Sequence, residues 1–219
     1  MKLILVSVAL VVTVMSCNKS KKDIAQKKVD AYTAYVDSVS NVETDEAVKN
    51  WETIENDYRE MESEASKTVV ELENNTELQN SIDESAVKYE AYKAEVMEEH
   101  ERMESERLKT ELRKSLLGKG YTGDDMKFTW INKDNILSVY QNFVDTVDKN
   151  KDSYSREDWD EIKLIYEAID TRKNTVENEG LTSEDNRKIA GLKVKFSSMY
   201  TVNRIGAKSD ENAEAKEQS

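Results

Sequence analysis

The sequence predicts an all-α protein of two tandem three-helix units, each a helical bundle, joined by a long connecting helix. Three observations predict it. The chain has no proline, six glycines in 219 residues and 35% charged residues, a composition of long helices rather than of sandwiches or barrels, whose turns need Gly and Pro. Its apolar residues recur at steps of three and four, without alternation of period two. Its second half repeats the first at an offset of 108 positions, so that Trp159, Ile162, Tyr166 and Ile169 stand where Trp51, Ile54, Tyr58 and Met61 stand. A 37% hydrophobic content is too high for a chain disordered throughout and suffices for one substantial core or two small ones.

The first element, residues 1–16, reads as a secretion signal. Lys2 gives a positive start, residues 3–14 carry no charge, and Ser16 places a small residue before Cys17. The apolar run is well short of the roughly 20 residues a membrane span needs. Val14, Ser16 and Cys17 resemble the bacterial lipobox, with Met15 bulkier than its position usually holds. The resemblance implies cleavage between Ser16 and Cys17 and lipidation of Cys17. Because Cys17 is the only cysteine, no internal disulfide can form, and lipidation consumes a thiol that export would expose to oxidation. Two or more acyl chains, at ~0.8 kcal/mol per buried methylene, make such an anchor effectively permanent. Residues 17–27 are then the lipidated cysteine and a polar tether. Asn18 stands where the enterobacterial inner-membrane retention signal has Asp, which points to the outer membrane. Lys19, Lys21 and Lys22 precede the first acid, Asp23, and favour the periplasmic face over surface display.

The first helical unit is expected over 28–117, with helices near 24–40, 45–74 and 77–114. Trp51, Ile54, Tyr58, Met61 and Ala65 form one stripe of a 3.6-residue helix. The third helix extends past the unit, since residues 81–117 have high helix propensity and no glycine or proline. A linker is expected over 118–132, where Gly118, Gly120 and Gly123 break the helix. The second unit, 133–203, has helices expected near 133–149, 156–178 and 183–203. Tyr140, Phe143, Val144 and Val147 stand where Tyr32, Tyr35, Val36 and Val39 stand, and at an offset of 107 Lys195 and Phe196 match Lys88 and Tyr89. The repeat core is thus Trp51, Ile54 and Tyr58 with Trp159, Ile162, Tyr166 and Phe196. Ser155 with Asp158 reads as a capping box, Thr182 or Ser183 as the next N-cap and Gly180 as a helix stop, with Thr44 and Asn75 as caps in the first unit. From Ala207 onward the chain is charged, small and nearly free of apolar side chains, and residues 204–219 are expected to be a disordered tail.

Residues that carry chemistry are sparse. The single histidine, His100, lies in a run of acids in which a zincin motif would need a second histidine at the position of Glu104. A nucleophile needs a base and an orienting group, and neither Cys17 nor His100 has an identifiable set. Asp124 and Asp125 read as solvated acids rather than as a glycosidase pair. Gly118-Lys119-Gly120 lacks the spacing of a phosphate loop. No catalytic residue, metal ligand or cofactor site is assigned, and an enzyme is not expected. Cleavage after residue 16 removes Lys2 and takes the net charge from −13 to −14, which disfavours nucleic acid and flat adsorption on anionic lipid.

The lipobox, the tandem helical units and the recurring Trp-x-x-Ile-x-x-x-Tyr pattern at 51–58 and 159–166 resemble uncharacterised tandem-repeat helical lipoproteins of Bacteroidota. That resemblance implies an envelope location and a helical fold, with no assigned reaction. The expected function is a membrane-anchored, non-catalytic interaction or scaffold module whose partner is an envelope protein or glycan. The alternative is a holdase-like periplasmic chaperone.

Overall fold

The computed structural model describes residues 21–72, 75–121, 123 and 126–217, apart from the side chains of residues 119 and 208–217. The signal sequence, its cleavage site at Ser16 and Cys17, and the acids Asp124 and Asp125 lie outside the described residues. Among the described residues the chain is all-helical, without strands. Six α-helices follow in order: α1 (Lys21–Val39), α2 (Thr44–Val70), α3 (Thr76–Leu117), α4 (Ile136–Asn150), α5 (Arg156–Asn178) and α6 (Ser183–Glu217). The chain divides after Glu101 into two compact units.

The first unit holds α1, α2 and the first part of α3. Helix α1 runs antiparallel to α2, as Lys28 Nζ to Glu64 Oε2 (2.5 Å) and Tyr35 Oη to the Ile54 carbonyl (2.9 Å) show. Helix α3 runs antiparallel to α2 and parallel to α1, meeting α1 through Ser85 with Thr33 and Lys88 with Asp37. The apolar steps of each helix converge on a core that includes Val29, Tyr32, Val36, Tyr58, Ile82 and Tyr89. Each such side chain contributes roughly 1.5–3 kcal/mol by leaving water. Trp51 and Ile54 of the expected core are half-buried and bridge this core to a smaller cluster around Ala47, Tyr92 and Val96.

The second unit holds the end of α3 with α4, α5 and α6. Its core is built on Tyr140, Phe143, Trp159, Ile162, Ile165 and Phe196. The domain boundaries expected from the sequence need correction here. Leu112, Leu116 and Leu117 at the end of α3 belong to this second core, and so do Phe128 and Ile131 of the stretch expected to be a linker. The physical reason is apolar burial, held in register by hydrogen bonds across distant parts of the chain. Asn142 of α4 donates Nδ2 to the Leu116 carbonyl (2.7 Å), satisfying a helix-end acceptor, and Arg172 of α5 donates Nε to the Ile131 carbonyl (2.8 Å). Gly120 packs so closely on Trp130 that a Cβ would lie 2.4 Å from the ring. Phe128 is 1% exposed at φ 48°, a left-handed conformation that a bulky residue adopts only when packing enforces it.

The helix ends follow local chemistry. Ser155 and Asp158 form the expected capping box, Thr182 Oγ1 accepts from the Asp185 amide (3.0 Å), and Gly180 at φ 97° ends α5. Thr44 is the first residue of α2 rather than its cap, and Glu43 stands at the cap without a side-chain capping hydrogen bond. The Asn75 side chain donates Nδ2 to the Val69 carbonyl (3.1 Å), while its backbone carbonyl accepts from the Gln79 amide (2.8 Å). The tail expected to be disordered over 204–219 is helical as far as Glu217. Low apolar content limits burial, but Ala, Glu and Lys here favour a continued helix without Pro.

Candidate functional site

Two arrangements on the second unit gather polar groups. The first is a network at the edge of its core. Tyr140 is fully buried and donates Oη to Asp170 Oδ1 (2.9 Å), which also accepts from Lys193 Nζ (2.5 Å). Burial first, then the charge of Asp170, pushes the Tyr140 phenol far above its ordinary range, so it remains a neutral donor. A short aromatic row adjoins it, with Tyr166 stacked on Phe196 (centroids 4.3 Å apart, 25°) and Phe143 edge-on to Phe196 (5.3 Å). The Tyr166 phenol is pushed up to about 12, chiefly by burial. The network joins α4, α5 and α6, and its chemistry is structural, since every member has its partner within it. Sequence reading missed it because its three residues are separated by 30 and 23 positions. The available signal was Asp170, an acid directly after Ile169 of the apolar stripe.

The second arrangement is an open groove of about 1060 Å³ between α4 and α6, lined among others by Lys133, Leu137, Gln141, Asp145, Lys188 and Gly191. Lys133, Lys149 and Lys188 line it together with Asp134, Asp145 and Asp185, and Asp145 lies 3.8 Å from Lys195 Nζ, whose closer partner is Asp148 (2.8 Å). Hydrogen bonds from Lys195, then from Lys151, hold the Asp148 carboxyl down at about 2. The described lining has no His or Cys; Asp145 reaches α6 through Lys195, whereas Lys133 pairs with its neighbour Asp134 and Lys188 with Glu184 of its own helix.

The expected repeat core divides by burial. Trp159, Ile162 and Phe196 are buried with Tyr58, whereas Trp51, Ile54 and Tyr166 are half-buried. In the first unit Tyr58 stacks on Tyr89 (3.5 Å, 5°), and Trp51 lies nearly parallel to Tyr89 at 6.0 Å. Trp159 is 0% exposed, and its indole N–H finds no hydrogen-bond acceptor among the described residues. His100 is exposed on α3, and its neighbour one turn on, Glu104, is bound to Arg107 at 2.5 Å. No group of three His, Cys, Asp or Glu side chains among the described residues is placed to hold a metal ion. No described helix is long and apolar enough to cross a membrane.

Residues 147–218 match the family described as Domain of unknown function (DUF6565). The DUF6565 stretch begins in the last turn of α4 and takes in α5 and α6, with Trp159, Tyr166, Asp170, Lys193 and Phe196. Tyr140 and Phe143 precede it, so the network described above joins the DUF6565 stretch to the helix before it. No curated protein and no solved structure matches the chain.

Proposed function

We propose that the chain is a lipid-anchored envelope protein whose body is a duplicated three-helix module acting as a non-catalytic interaction or scaffold element. The observation that carries the reading is the recurrence of the same interhelical contacts at positions related by the sequence repeat. Lys88 meets Asp37 at 2.7 Å, and Lys195, its counterpart, meets Asp145 at 3.8 Å. Tyr58 stacks on Tyr89, and the matching Tyr166 stacks on Phe196. Where the first unit pairs Lys93 with Glu55 (2.9 Å), the matching positions of the second hold Tyr200 with the Lys163 ammonium over its ring (5.8 Å). The attraction between the helices is thus retained while its chemistry changes, from ion pair to cation–π contact. Such a pattern supports duplication of a packing unit, and the polar groups at these positions hold helices together rather than await a substrate. Anchoring rests on Val14, Ser16 and Cys17, whose lipobox character is a property of the sequence.

Fractionation tests the anchor and capture tests the module. With the native chain, the protein is expected in the membrane fraction with a mature N-terminus bearing acyl mass on Cys17, and Cys17→Ala is expected to leave it unprocessed or soluble. An unmodified mature N-terminus on a soluble native chain removes the anchor from the reading. Crosslinking in intact cells is expected to join the body reproducibly to a defined envelope protein or glycan above a lipidated control. Repeated recovery at the level of that control counts against the interaction role.

A further inference from the structure

In a chain with 35% charged residues, the exposed face of α6 stands apart. Ala190, Gly191, Val194, Ser198, Thr201, Val202, Ile205 and Gly206 are all exposed, and on an α-helix all lie within about 80° of Ser198. Val194, Val202 and Ile205 are 68%, 70% and 66% exposed. Between residues 190 and 206 the one charged side chain within that arc is Lys195, turned to Asp148 at 2.8 Å, while Glu184, Arg187 and Lys188 are exposed on the same side of the first turns of α6. The exposed face of α3 around Val87 is the opposite in character, carrying Asp83, Glu84, Glu90, Glu95 and Glu98.

Two further observations set the α6 face apart from ordinary solvated surface. A Cβ placed on Gly191 meets no described atom within 4 Å, so no internal crowding calls for glycine there, although mid-helix glycine costs about 1 kcal/mol relative to alanine. The hydroxyls of Ser198 and Thr201 donate to the carbonyls of Val194 (3.2 Å) and Ser197 (2.9 Å). Their hydrogen-bonding demand is met inside the helix, so covering them strands no donor.

Apart from Thr201, whose mate three residues before Ser198 is Lys195, the positions of this face pair about Ser198. Val194 and Val202 lie four residues to either side, Gly191 and Ile205 seven, and Ala190 and Gly206 eight. A two-fold interface requires that if one residue meets another, the second meets the first, and this face satisfies that requirement with itself. We propose that α6 pairs antiparallel with α6 of a second copy of this chain, on a two-fold axis at Ser198. Val194 packs on Val202 of the second copy, and the space left by Gly191 receives Ile205 of the second copy. The net charge of −13 opposes association through the acidic faces and leaves this one, which carries no acid between residues 190 and 206. The face spans about 24 Å of helix and roughly 10 Å of width, well under the ~800 Å² per partner of a stable interface, so the dimer is a weak, concentration-dependent one. This inference goes beyond the lipid-anchored reading and stands or falls separately from it.

The test uses the full chain with Cys17→Ser, so that each introduced cysteine is the single thiol. Ser198→Cys should form a disulfide-linked dimer under mild oxidation at least about tenfold faster than Thr171→Cys, an exposed control on α5. In sedimentation runs up to about 1 mM protein, the chain with native α6 should shift toward dimer, and Val202→Glu or Val194→Lys alone should return it to monomer. The pair Val194→Lys with Val202→Glu should regain the dimer, because the two-fold places each lysine against a glutamate. Far-UV circular dichroism equal to that of the native face shows that these exposed substitutions leave the fold intact. Equal rates for the two cysteines, a monomer at every concentration, or no recovery in the double substitution overturns the proposal. So does a monomer whose α6 substitutions instead abolish binding to phosphatidylcholine vesicles or to another protein.

Discussion

Tyr140 is buried with its hydroxyl on Asp170, and Lys193 completes the set from α6. Replacing Asp170 with alanine leaves a buried phenol without its acceptor and a half-buried ammonium without its counter-ion. The expected loss is roughly 1.5–3 kcal/mol, read by urea unfolding; a change below about 0.5 kcal/mol shows that water replaces the carboxylate. Trp159 behaves differently, because its buried N–H has no described acceptor to lose. Trp159→Phe removes an unsatisfied donor along with some volume and should cost less than about 1.5 kcal/mol, whereas Trp159→Ala should cost about 3–5 kcal/mol. The two variants, compared by thermal and urea unfolding, separate loss of packing from removal of the unsatisfied donor.

At the scale of the element, α5 begins on a reciprocal cap in which the Asp158 amide donates to Ser155 Oγ (3.0 Å) and the Ser155 amide donates to Asp158 Oδ2 (3.0 Å). Ser155→Ala should lower stability by about 1 kcal/mol, seen as a drop in the urea midpoint with an unchanged m-value. This cap, the Gly180 stop and the stripe Trp159–Ile162–Tyr166 were legible in the sequence because each is written within a few residues. The end of α3 was not. Leu112, Leu116 and Leu117 sit in a charged, uninterrupted helix, and what assigns them to the second core is packing on distant apolar residues, with Asn142 bonded to the Leu116 carbonyl from 26 positions away. Phe128 and Ile131 were hidden for a similar reason, since a glycine-bearing stretch reads as a connector until Arg172 fastens it from 41 positions away. The length of α6 was underestimated because apolar content reports burial, whereas helix formation in an Ala, Glu and Lys tail is governed by propensity. The polar network was illegible because its three members come from three helices.

For the molecule as a whole, buried tyrosines set the alkaline limit. Burial is the leading cause that raises Tyr32, Tyr35, Tyr89 and Tyr140, and it pushes Tyr166 up to about 12. Groups raised in the folded state contribute stability that is fully present below the unfolded value near 10 and is lost as pH rises through the folded values. Stability should therefore fall above about pH 10, with tyrosinate absorbance appearing together with loss of helical ellipticity. Tyrosinate signal rising well before the helices melt would show these phenols to be open to solvent. The acid side has the opposite sign. Glu55 is lowered by hydrogen bonds from Lys93 and Arg59, and Asp148 to about 2 by Lys195 and Lys151. Their contribution is present above the usual carboxylate range near 4 and is lost as pH falls through the folded values. High salt should blunt this acid dependence, because both groups are near the surface.

The three tryptophans are apportioned between the two units, with Trp51 in the first and Trp130 and Trp159 in the second. Trp51 lies against Tyr89, and Trp159 lies sealed among Tyr154 and Tyr200, so each ring has its own optical surroundings. Chains keeping only Trp51 or only Trp159 give an emission spectrum that belongs to one half. Melting followed at those two wavelengths of maximum change then reads out, without any attached dye, whether the halves let go together or in turn.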